Sequence, residues 1–170
     1  TMRMAQQWRT RQGLPEMKEW NELINNLSPL PSKDGVYLTS EGAPLIGHTA
    51  EQTDSPKDDD KFASDHPMPL GAFGMLPESY LFTKAGMDST YNWIMKHWNW
   101  QKTWGWDYPM TAMCATRLGR PDDAVNALLM PVPKNTYLNN GHNWQSDRLR
   151  CYLPGNGGLL TAIALMTAGY

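Results

Sequence analysis

Charge of one sign, cysteine and long apolar runs are all scarce in this chain of 170 residues, and each shortage removes a class of function. Fifteen Lys and Arg against 17 Asp and Glu leave a net charge of -2. The cationic surface that nucleic acid or an anionic membrane would need is therefore missing. No apolar run approaches the roughly 20 residues that cross a bilayer, and nothing that reads as a secretory leader opens the chain. Only two cysteines occur, Cys114 and Cys151. They match no metal-ligand spacing, and Cys114, inside an apolar helix-like stretch, reads as a small core residue. His142 has no second histidine at ligand spacing, so its reading is a hydrogen-bonding or loop-structuring role. Neither a metal nor a cofactor is implied.

Tryptophan is what the chain has in excess. Trp93, Trp98, Trp100, Trp104 and Trp106 fall within 14 residues, the last two in a Trp-Gly-Trp-Asp turn. Indole is costly to bury because its N–H demands a partner. Two readings are open: an aromatic helix seam, or a surface whose rings stack on the C–H faces of sugars while a carboxylate takes the hydroxyls.

The length suits a single domain with one core. Helical patterns run from Met2 to Gln12, ended by Gly13 and Pro15, and from Glu16 to Leu27, with Met17, Trp20, Leu23, Ile24 and Leu27 on one stripe. A short strand or extended crossing is expected at 35–39. Residues 40–66 read as a long polar connection whose Asp58, Asp59 and Asp60 suit a solvated surface. Helices follow at 68–76, at 87–98 with Asp88 as cap, at 106–118, from Pro121 to about Met130, and at 157–168. Those at 68–76, 106–118 and 157–168 are apolar on most faces and are expected to be buried; those at 16–27, 87–98 and 121–130 are two-faced and expected outside. The fold class is thus all-α: alternating inner and outer helical hairpins, about half of a helical toroid, with long loops and at most a short β-strand pair. Both ends, at Thr1 and Tyr170, read as cuts in a longer polypeptide. An exposed apolar face is then expected, and with it self-association or a need for the rest of the barrel.

Each buried helix follows unusual residues: Ser64-Asp65-His66-Pro67, then Trp104-Gly105-Trp106-Asp107, then Gly141-His142-Asn143-Trp144-Gln145-Ser146-Asp147-Arg148 with Leu153-Pro154-Gly155-Asn156-Gly157-Gly158. If the inner helices run the same way, these three junctions converge on one polar, aromatic mouth, with free N–H groups and positive dipole ends aimed into it. Asp65 and Asp107 each fit two roles, helix cap or ligand carboxylate. Asp147 and Arg148 fit a mutual ion pair or ligand contacts, and Asn156 a left-handed turn or a ligand contact.

At these residues the chain resembles the C-terminal part of an (α/α)6-barrel glycoside hydrolase of the six-hairpin kind, in the maltose-phosphorylase-like and α-fucosidase-like superfamily. Asp34-Gly35-Val36-Tyr37, Trp104-Gly105-Trp106 with Ala115-Thr116-Arg117-Leu118-Gly119, and Gly155-Asn156-Gly157-Gly158-Leu159-Leu160 carry the likeness in scattered pieces. The resemblance implies that residues 1–170 are one helical domain, part of a larger catalytic domain and inactive alone. It further implies an oligosaccharide or glycoside ligand and a periplasmic or extracellular setting. One departure matters: where the fucosidase-like enzymes place an aspartate general base before that Gly-Asn, this chain has Pro154, which does no proton chemistry.

Glycosidic hydrolysis takes two carboxyl groups, one to protonate the leaving oxygen and one to activate water or attack carbon. The candidates, in order, are Asp107, Asp147 and Asp65. Trp104, Trp106 and Trp144 would stack on sugar rings, and His142, Asn143, Arg148 and Asn156 would bind hydroxyls. Two other classes stay open: a non-catalytic carbohydrate-binding module, which Pro154 favours, and a structural helical module whose tryptophans are core.

Overall fold

The computed structural model describes residues 1–45, 62–76 and 79–168. The Asp58–Asp60 run and most of the polar connection around it lie outside the described residues. Among those residues the fold is mainly α-helical, with two small antiparallel strand pairs. The helices are α1 (Met2–Arg11), α2 (Lys18–Asn25), α3 (Met68–Gly74), α4 (Lys84–His97), α5 (Asp107–Leu118), α6 (Pro121–Leu128) and α7 (Leu153–Ala168). None of them is long and apolar enough to cross a membrane.

The organising element is α5. Every residue of it except Arg117 is buried, and α3, α6 and α7 all pack on it. Its side chains are mostly small or unbranched (Met110, Ala112, Met113, Cys114, Ala115), so neighbouring backbones come close. A Cβ on Gly74 of α3 would sit 2.6 Å from the Cys114 nitrogen, and one on Gly158 of α7 would sit 2.8 Å from Pro109 Cγ. Glycine is thus required there for helix packing. The left-handed Gly119 ends α5 at φ 79°.

Helix α4 lays Met87, Tyr91 and Ile94 into the same core. Its N-cap is Thr83, whose Oγ1 accepts the Gly86 N–H at 3.0 Å; Asp88, expected as the cap, lies one turn inside. There it pairs with Arg120 at 3.0 Å, while Asp123 of α6 holds the same guanidinium. Arg120 also lies 4.4 Å over the Tyr91 ring, so it ties α4 to α6.

Strands β1 (Ser32–Lys33) and β2 (Val36–Tyr37) form a hairpin where a short strand or an extended crossing was expected. Asp34 and Gly35 both have positive φ, 52° and 79°, as a two-residue hairpin turn demands. The Tyr37 N–H donates to Thr90 Oγ1 at 2.9 Å and docks the hairpin on α4. A second hairpin, β3 (Thr136–Tyr137) with β4 (Asn143–Trp144), was not anticipated.

The expectation for the last helix fails in two ways. It begins at Leu153, so Gly155 and Asn156 belong to its first turn and do not form a loop before it. Nor is it buried: Gly155 and Ala162 are its only buried residues, and Leu160 is 70% exposed. Nine of its 16 residues are exposed, because among the described residues α5 and β4 pack against only one stripe of it. Likewise α3 buries Leu70 but leaves Met68 exposed at its start, with Met75 and Leu76 exposed just beyond its end.

Candidate functional site

The junctions before α3 and α5 are bolted together by backbone. The Asn99 N–H donates to the Ala63 carbonyl at 2.7 Å, and the Thr103 hydroxyl lies 2.9 Å from the Asp65 carbonyl. This places Asp65-His66 against Thr103-Trp104-Gly105-Trp106-Asp107.

Asp107 is the buried hub. It has no solvent exposure. Thr103 donates its hydroxyl to Oδ2, the Trp104 N–H donates to the same oxygen at 2.8 Å, and His66 Nδ1 lies 3.0 Å from Oδ1. Burial pushes the carboxyl pKa up; the Thr103, Trp104 and His66 contacts oppose that without cancelling it. Asp107 does not cap its own helix, whose N-cap is Trp106. It caps the preceding turn through Trp104. This corrects the picture of a pocket-facing carboxylate: Asp107 reaches the surface only through His66.

His66 stands between two carboxylates. Its Nδ1 faces Asp107 and its Nε2 lies 3.5 Å from Asp65 Oδ1. The Trp106 indole N–H also points at Nδ1, at 3.0 Å, with its ring edge-on to the imidazole. Asp65 is not an N-cap, since Pro67 holds that position in α3; its side chain is 69% exposed and accepts the Trp104 indole N–H at 3.2 Å. Trp104 is half-buried, with Lys134 Nζ 4.9 Å from its ring centre and the Tyr152 ring 5.9 Å away. Burial lowers the Lys134 pKa and raises that of Tyr152. Asp65, His66, Met68 and Trp98 line an open cleft of about 480 Å³.

The third junction meets the same place, but as scaffold. Asn143 is fully buried; its amide donates to the Lys134 and Thr136 carbonyls (3.1 and 3.2 Å) and accepts from Gln145 at 2.8 Å. Gln145 Oε1 in turn accepts the Gly105 N–H at 2.8 Å. The Asn143 side-chain amide is packed so tightly against Gly105 and Gly155 that neither position has room for a Cβ. Asn156 spans the Asn143 N–H (3.0 Å) and the Gly141 carbonyl (2.7 Å). Both asparagines, expected to bind hydroxyls, therefore hold backbone, because a hairpin of two-residue strands needs side chains to complete its bonding. Asp147 and Arg148 are exposed in the turn bridged by Ser146 and Leu149. The His142 N–H is taken by Asn140, and Trp144 is half-buried in β4.

Of the residues singled out from sequence, Asp65, Trp104, Trp106 and Asp107 come together; Asp147 and Arg148 lie on a separate turn. His66, Thr103, Lys134 and Tyr152 were missed as site residues. Only His66 carried a signal, within Ser64-Asp65-His66-Pro67. The other three tryptophans of the 93–106 cluster take packing roles: Trp98 is buried and donates to Thr103 (3.3 Å), Trp100 donates to the Met95 carbonyl (3.3 Å), and Trp93 stacks on His97. Among the described residues, no group of three or more His, Cys, Asp or Glu is placed to hold a metal ion. Comparison with protein-family models, with curated proteins and with solved structures returned no match.

Proposed function

We propose that the cleft at the α3–α5 junction is a carbohydrate site and that the chain is part of a glycoside-cleaving (α/α)6 domain of which these hairpins form about half. One observation carries the reading: Asp65 and His66 line the cleft, and the exposed Asp65 carboxylate holds the N–H of a half-buried indole, Trp104, which stands beside the cleft and outside its lining. That pairing offers a flat apolar face and a hydroxyl acceptor a few ångströms apart, which is what a pyranose ring requires. Asp65 is the carboxylate of this cluster that a ligand can touch, and His66 stands behind it. The partner acid or base of a two-carboxyl mechanism would come from Asp147 or from elsewhere in the complete protein.

A non-catalytic carbohydrate-binding site is the second reading. It is favoured by the burial of Asp107 and by Pro154, which leave Asp65 as the accessible acid of the cluster.

Titration with a panel of oligosaccharides, followed by tryptophan fluorescence, tests the ligand class. Trp104→Ala is expected to weaken binding about tenfold, the loss of one stacked aromatic face. A silent panel would reject the reading. Assay of the full-length protein on aryl glycosides then separates turnover, abolished by Asp65→Asn, from binding alone.

A further inference from the structure

One nitrogen in the site is claimed twice. His66 Nδ1 lies 3.0 Å from Asp107 Oδ1 and 3.0 Å from the Trp106 indole nitrogen. An imidazole Nδ1 that carries a proton can donate to the carboxylate but cannot accept from the indole; bare, it can accept but offers the carboxylate nothing. The indole N–H is a donor only, so it cannot adapt. The two contacts are mutually exclusive, and each selects a different tautomer of the ring. The other nitrogen, Nε2, faces Asp65 at the cleft and takes whichever state Nδ1 leaves to it.

We infer that His66 is the proton-handling residue of this site, exchanging a proton at Nε2 with the cleft, and that Asp107 and Trp106 are opposed positioning residues that set its tautomer. With Asp107 ionised, Nδ1–H donates to it and Nε2 presents a lone pair to the cleft. When a group in the cleft gives up a proton, Nε2 binds it and the ring becomes cationic against the Asp107 carboxylate. The Nδ1 proton can then pass to Asp107 Oδ1, leaving a neutral ring with Nε2–H outward and Nδ1 bare, open to the Trp106 indole. Each step moves one proton, and over the sequence the negative charge passes from Asp107 to the cleft group that gave the proton up. Burial favours the protonated carboxyl, which makes the second state accessible. Among the described residues, the other titratable groups around the ring are Asp65 on Nε2, with Lys134 and Tyr152 one layer out, across Trp104. The inference rests on the carbohydrate reading only for what donates the proton.

The test is the 15N shifts of the His66 ring in labelled protein, assigned by their loss in His66→Gln. In Asp107→Asn the new amide can donate to Nδ1, so the ratio of Nε2–H to Nδ1–H forms is expected to rise about tenfold or more, the effect of exchanging one charge-assisted hydrogen bond. Trp106→Phe removes the competing donor and is expected to move the ratio the opposite way. It also decides the matter if Asp107→Asn fails to fold. A His66 ratio unchanged in both variants, or equal to that of free histidine in the wild type, overturns the inference. Opposite shifts together with a silent glycan panel would keep it while rejecting the carbohydrate reading.

Discussion

At the scale of single residues the two most consequential positions are a buried acid and a crowded glycine. Burial raises the Asp107 pKa in the fold, so folding shifts this carboxyl toward its protonated form relative to the unfolded chain. Its contribution to stability is then complete below the unfolded value of about 4 and is lost as pH rises through the higher native value. Urea midpoints of the wild type should therefore fall over that window, while Asp107→Asn, which cannot ionise, should lack the falling limb. Parallel pH profiles for the two proteins would contradict the assignment. At Gly155 two effects oppose each other. Alanine in a helix gains about 0.5–1 kcal/mol over glycine. Here its Cβ would land on the Asn143 side-chain amide, and displacing that amide strands several buried backbone bonds at about 1–3 kcal/mol. The clash wins, so Gly155→Ala is expected to destabilise by about 1–2 kcal/mol in chemical denaturation, against the propensity trend.

At the scale of elements, existence was legible and edges were not. Every helix expected from apolar spacing is present, because spacing reports which face is apolar. The cap of α4 was misassigned because Thr83 and Asp88 both precede apolar residues, and only the fold shows which oxygen meets an N–H. Thr83→Ala should cost about 1 kcal/mol, read as a lowered denaturation midpoint. Asp88→Ala would disturb the partly exposed Arg120 pair and an exposed contact with the Asn92 amide, a smaller effect. The start of α7 was missed for the opposite reason. Gly155-Asn156-Gly157-Gly158 has the local propensities of a loop, yet Asn156 is fixed by the Asn143 N–H and the Gly141 carbonyl, and Pro154 suits a first turn. Tertiary bonds overrule propensity there. The hairpin of β3 and β4 left no alternating pattern to read, since each strand is two residues long.

At the scale of the whole molecule, the meeting of three junctions around the first turn of α5 could be read from the order of greasy and polar segments. The atoms that do the meeting could not. His66 and Asp107 are 41 residues apart, and nothing local to either says that one is solvent's neighbour and the other its buried support. The same uneven layering sets where the molecule should open first. All of α5 but Arg117 is buried, whereas the hairpin of α1 and α2 buries only Gln6 and Ile24, and α7 only Gly155 and Ala162. The hairpin of α1 and α2 is held by the Gln6 amide on Met17 and Asn21 (2.8 and 2.9 Å) and by Tyr80 donating to the Ile24 carbonyl at 2.8 Å. A few partly buried hydrogen bonds at about 1 kcal/mol each cannot match the apolar burial of the core. Local opening free energies follow buried contact, so amide hydrogen exchange should be slowest in α5 and the facing turns of α4 and α6. It should be intermediate in the first turn of α7, where Gly155 and Asn156 are anchored, and fastest in α1, α2 and the last turns of α7. Protection of α1 equal to that of α5 would mean that the hairpin folds as one unit with the core, and would overturn this ranking.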